Sequence, residues 1–205
     1  MSLISPVQAK SQVKLINTIF WLTVLLVGGS LAGMFLGPHG LLAKSWYWLG
    51  HQGWEYVELG KIWQIILGIV FIIWAVTIYR GIKPVLKVKQ PWALPNWLIY
   101  TTFSIILLLI SGFIATPNTN FVIADFWRWM VVHMWAEAFF EVFTTVLIGY
   151  FMVLMGLINK QAAIRVIYLA TLLFLGSGLL GISHNFYWNA KPVGTMALGA
   201  VFSTL

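Results

Sequence analysis

Apolar residues in this chain gather into long runs broken by short polar stretches, and the length of the runs predicts the architecture. The first, about 14–37, is closed by Gly37-Pro38, and the second, about 62–82, ends among Arg80, Lys83, Lys87 and Lys89. Pro91 and Pro95 lead into a third, about 97–116, which stops before Pro117. The fourth, about 126–158, starts after Asp125, placed to cap a helix there, and its far end is marked by Lys160 and Arg165. A fifth covers about 164–186, and a last apolar stretch from Val193 to Leu205 is too short to span. The expected fold is all-α, a polytopic transmembrane bundle of five full spans plus the start of a sixth, with residues 1–205 forming a single membrane domain.

Composition strengthens this reading. The chain is 60% hydrophobic and 8% charged, with mean hydropathy +0.90, which excludes an ordinary soluble domain. The N-terminal run resembles a signal peptide, but at roughly 22 residues, with no clear cleavage box, it reads as a retained span. No cysteine is present, so disulfides, thiolate zinc sites and iron–sulfur clusters drop out, and any metal must use His, Asp or Glu. The net charge of +7 comes from twelve Lys and Arg scattered between apolar runs, with no basic face for nucleic acid. Eight of them lie at the N-terminus and after the second and fourth spans, against four on the other side, which predicts a cytoplasmic N-terminus. No internal repeat or low-complexity segment is visible.

Candidate chemistry sits in the fourth run. Counted as an α-helix, His133, Glu137 and Glu141 share one stripe, continued inward by Thr144. An ionised carboxylate at bilayer depth costs on the order of 2.5–3.5 kcal/mol, so something must compensate. Imidazole and carboxylate suit a first-row metal, and a second carboxylate can hold or pass protons; an interhelical hydrogen-bond cluster is the plainer alternative. The expected topology runs span four inward and span five outward, which brings His133 level with His184 toward the outer face. Asn185 beside His184 is a poor transition-metal ligand and would leave a metal position open. The loop from His51 to Gly60 reads either as a hydrogen-bonded interfacial loop or as a cap over a cofactor or proton entry. His39 reads as a solvated turn residue, the abundant Phe and Trp as lipid-facing or packing surface, and Arg128 as a residue able to meet a propionate.

Three segments together carry a resemblance. Gly50-His51-Gln52-Gly53-Trp54-Glu55-Tyr56-Val57-Glu58-Leu59-Gly60-Lys61-Ile62-Trp63-Gln64, then His133-Met134-Trp135-Ala136-Glu137 with Glu141, then His184 and Gly199–Leu205 resemble the quinol-dependent nitric oxide reductases of the heme–copper oxidase superfamily. The resemblance implies a non-heme iron held by His133, Glu137 and His184, facing a high-spin heme b, with a further heme b and Glu141 as the nearby acid. Where those reductases have His-His this chain has His184-Asn185, which resembles the nitric oxide dismutase branch. The reaction so implied converts two NO to N2 and O2, with Glu137, Glu141 and Asn185 as catalytic candidates; quinol-dependent reduction to N2O is the alternative. The heme ligands are expected outside these residues, so the chain reads as the central segment of a larger catalytic subunit in a bacterial cytoplasmic membrane. Nitric oxide, the lipid membrane, the remainder of that subunit and, less directly, quinol are the implied partners. A small membrane transporter or assembly protein, and a gene fragment without a function of its own, are the other readings.

Overall fold

The computed structural model describes residues 6–50, 59–182 and 191–203, and within them excludes the side chains of residues 6–8, 43, 137, 138 and 203. Every regular element among the described residues is helical. Five helices are long and apolar enough to cross a membrane, Ala9–Leu36, Lys61–Val85, Leu94–Phe113, Phe121–Leu154 and Lys160–Leu179, and a shorter apolar one covers Val193–Phe202. The five expected spans are therefore present, with shifted ends. The third closes in a tight turn, Ile110–Phe113, short of residue 116.

Two compact units divide the chain, Met1–Leu86 and Lys87–Leu205. In the first, helix α1 (Pro6–Leu36) and helix α3 (Lys61–Ile82) pack along each other, with the short α2 (Trp46–Leu49) at one end. Small residues set that approach. A Cβ on Gly29 would run into the Trp63 ring, and one on Gly33 would strike the Leu49 carbonyl, the spacing by which membrane helices come close. The Trp63 indole donates to that same Leu49 carbonyl at 2.9 Å. His39 is an exposed turn residue as expected, its Nδ1 2.8 Å from the Phe35 carbonyl and its ring stacked on Phe35.

The second unit is built on α4 (Leu94–Leu109), whose span has half of its residues buried against less than a fifth for each of the others. Thr101 and Thr102 donate back to the carbonyls of Trp97 and Leu98, so their hydroxyls are satisfied inside α4 and present only methyl groups to the core. Buried Asn96 ties the preceding loop down: its Oδ1 accepts from the Lys87 amide, and its Nδ2 donates to the carbonyls of Lys87 and Gln90. Around α4 lie α6 (Phe140–Leu154) and α7 (Lys160–Leu173), which are joined by a turn with Gly156 at φ +72° and capped by Asn159 on the Ala162 amide. The Trp97 ring meets the Tyr168 ring edge-on at 5.4 Å, fixing α4 against α7.

Helix α5 (Phe121–Trp129) corrects one expectation. Its cap is Asn120, whose side chain accepts from the Val122 amide at 3.0 Å, so the helix starts a turn before the position assigned to it and Asp125 is not a cap. The segment Pro117-Asn118-Thr119-Asn120 already supplies the turn, with Thr119 bonded to Thr116, and the chain is helical by the time it reaches Asp125.

Candidate metal and proton site

From Trp129 the helix runs without a break into a π-helical segment, Met130–Phe139, before returning to α-winding at Phe140. A second π segment, Phe174–Leu179, continues α7. The i→i+5 winding is uncommon and concentrates at functional sites. Here the two wide segments pack against each other, joined by Phe139 and Phe174, whose rings meet edge-on with centroids 4.8 Å apart. The first contains His133 and Glu137; the second ends at Leu179, five positions before His184.

His133 is buried at 8% exposure, flanked by Val131, Val132 and Met134, which are more deeply buried still. The side chain of Glu137, and both His184 and Asn185, lie outside the described residues, as does the loop from His51 to Glu58. Among the described residues no three His, Asp or Glu side chains come close enough to hold a metal ion. The donor set read from the sequence therefore has one described member, a buried imidazole within the fourth candidate span.

Glu141 is exposed and lines a cavity of about 160 Å³ between α6, α7 and the second π segment. Val142, Thr145, Ala170, Leu173, Phe174 and Ser177 complete the lining. The space is large enough for several waters, and the Glu141 carboxylate with the two hydroxyls provides partners for them. Thr145 lines this cavity with Glu141, while Thr144, expected to continue the stripe, is exposed and is not part of the lining. The 100° step used to align the stripe does not hold across a π segment, where each residue turns the chain through a smaller angle. Ser177 and Thr145 carry no signal in the sequence beyond being isolated hydroxyls on apolar runs.

An ion pair lies outside the residues that the sequence marks for chemistry. Asp125 is fully buried, and Arg128 donates to it from one turn on, Nη1 to Oδ1 at 3.2 Å. The Arg128 guanidinium also sits 4.9 Å from the Trp129 ring centre, so the arginine expected to be able to meet a propionate is engaged on two sides. Lys191 joins from beyond the next span: burial pushes its ammonium down from the usual lysine range, and the Asp125 carboxylate pulls it back up. The i, i+3 spacing of Asp125 and Arg128 was the available signal. Helix α8 (Val193–Ser203) packs on the second π segment, and just beyond that segment the Gly181 Cα leaves room for the Phe202 backbone, 3.4 Å from where a Cβ would sit. Residues on both sides of the stretch that contains His184-Asn185 are in this way tied into the unit that holds His133.

Comparison with known proteins agrees with the class of molecule this arrangement suggests. The family model for cytochrome c and quinol oxidase polypeptide I matches residues 2–205. A nitric oxide reductase from Stutzerimonas stutzeri is 23% identical over 200 residues, covering 94% of this chain and 40% of that protein. The chain thus spans about two-fifths of the length of that relative. With a match over almost its whole length, the chain belongs to the cytochrome c and quinol oxidase polypeptide I family, the heme–copper oxidases.

Proposed function

We propose that this chain is the iron-bearing segment of a membrane oxidoreductase acting on nitric oxide, and that its reaction is the dismutation of two NO to N2 and O2. The observation that carries the reading is the pair of packed π segments, one containing His133 and Glu137 and the other leading to His184-Asn185. On this reading His133, Glu137 and His184 hold a non-heme iron, and parts of a larger subunit outside these residues hold heme b and a high-spin heme b. A buried imidazole on a π-wound helix fits such a group, because imidazole nitrogen suits a first-row metal. Bound there, the iron would supply a place for NO to bind beside the heme and exchange electrons with it.

The chain's own residues do the rest. Glu137 offsets the metal's charge, so the cost of a carboxylate at this depth is met by its ligand. Asn185, in place of a second histidine, offers an amide that hydrogen-bonds but ligates weakly, leaving a coordination position open. Glu141, whose carboxylate lines the cavity between α6, α7 and the second π segment, would hand protons on where the reaction calls for them. Dismutation balances with no external electrons or protons, whereas reduction of two NO to N2O and water consumes two of each.

Reduction is the second reading, and the similarity to a nitric oxide reductase favours it. On this reading the N-terminus lies on the cytoplasmic side of a bacterial membrane and the metal toward the outer face, which the distribution of Lys and Arg between the spans supports. Metal analysis of the complete subunit tests the site. His133→Ala and His184→Ala should each remove the non-heme iron and leave the heme content unchanged; full iron retention in both variants would overturn the assignment.

A further inference from the structure

The π segment that contains His133 is framed by two side-chain pairs of different spacing. Before it, Asp125 and Arg128 are paired at i, i+3, Nη1 to Oδ1 at 3.2 Å, with Asp125 fully buried. The Arg128 guanidinium also lies 4.9 Å from the centre of the Trp129 ring, and Trp129 is the last residue of α5. At the other end, the Trp135 and Phe140 rings meet edge-on at i, i+5 with centroids 5.3 Å apart, and the Phe140 amide donates to the Trp135 carbonyl over the same separation. Beyond Phe140 the next ring contact is with Phe143, at i, i+3 once more.

These spacings match the winding at each place. Side chains three apart are neighbours on an α-helix, so a bonded i, i+3 pair favours α-winding over the turn it covers. In a π-helix the hydrogen bonds join residues five apart, which stacks those positions along the axis. A ring pair at that spacing therefore favours the wider turn. The run Met130–Phe139 holds no proline or glycine to mark where the winding changes. Where it changes decides which way His133 faces, because each π-wound residue turns the chain through a smaller angle than an α-wound one.

We propose that the Asp125–Arg128 ion pair and the Trp135–Phe140 ring pair are positioning groups, which fix the two ends of the π segment and with them the direction of the His133 imidazole. The ion pair, braced by Trp129, holds the last α turn and stops the wide winding from spreading back toward Phe121. The rings hold the extra width at the far end and let α-winding resume at Phe140. The part played in winding stands on the helix alone; its service to a metal rests on the reading of His133 as an iron ligand.

The test follows amide hydrogen exchange across residues 126–139 of the complete subunit, together with the Mössbauer spectrum of its non-heme iron. Arg128→Gln breaks the ion pair, and Phe140→Leu removes the ring pair while keeping an apolar side chain. Exchange should rise about tenfold at the Met130 end in Arg128→Gln and about threefold at the Phe139 end in Phe140→Leu, the losses of one charged hydrogen bond and one ring contact. In both, the iron content should stay and its quadrupole doublet should broaden or shift. Arg128→Lys, which keeps a cation for Asp125, should restore most of the protection and the wild-type spectrum. Phe151→Leu, at an exposed position of α6, should alter neither. Unchanged exchange in both Arg128→Gln and Phe140→Leu, faster exchange with an unaltered iron spectrum, or an equal rise in Phe151→Leu would overturn the proposal; should Arg128→Gln fail to fold, Phe140→Leu decides alone. A wild-type subunit without non-heme iron would overturn the iron reading, and the exchange rates would still decide whether the two pairs set the winding.

Discussion

Phe139 and Phe174 meet edge-to-face, with ring centroids 4.8 Å apart and planes at 85°, and they join the two π-wound segments of the molecule. Phe139 closes the segment that contains His133, and Phe174 opens the segment that leads toward His184. If that contact sets the relative height of the two helices, it has a measurable coupling. A double-mutant cycle with Phe139→Leu and Phe174→Leu should give about 0.5–1.5 kcal/mol between the two positions, read from unfolding in mixed micelles. Additive effects would mean that the segments are held together elsewhere.

The buried Asp125 makes a second demand. Its carboxylate accepts from Arg128, which has 15% of its side chain exposed, and acts electrostatically on Lys191. Asp125→Asn should destabilise the fold by roughly 3–5 kcal/mol, the range for breaking a buried ion pair from one side. Lys191→Gln should cost much less, because burial already disfavours the Lys191 ammonium and Arg128 remains on the acid. Thermal unfolding of the two variants side by side checks the order; equal losses would contradict it.

Glu141 separates the two reactions the site could run. Reduction to N2O needs protons and dismutation has no net need of them. With a reductant supplied, Glu141→Gln should therefore lower N2O formation about 10²–10⁴-fold, while any N2 and O2 formed from NO alone keeps most of its rate. Equal collapse of both would place Glu141 in the support of the metal rather than in proton handling.

The spans were legible because each is a long apolar run with few charges, ended by Pro, Gly or a lysine cluster, and bilayer thickness fixes how many residues such a run needs. The start of α5 was not, since Asn120 and Asp125 are both good capping residues and only the turn at Thr116–Thr119 decides between them. Nor was the π-winding visible: the polar positions of Met130–Phe139 are as compatible with an ordinary α-helical stripe, and no residue type in the segment demands an extra residue per turn. His133 stands out in the sequence as an ionisable group in an apolar run, and the structure buries it on its helix. The cavity at Glu141 depends on how α6 meets α7, and the tie from Lys191 to Asp125 spans 66 residues; neither follows from local spacing.

The most direct measurement gives isotopically labelled NO, without any electron donor, to the complete subunit and to its Asn185→His variant, and follows the gases by mass spectrometry. The wild-type protein should release labelled N2 together with O2 and accumulate no N2O, and Asn185→His should lose this activity and gain donor-dependent N2O formation. Wild-type N2O production that consumes electrons and is unaltered by Asn185→His would contradict the account and leave the chain with the reductases.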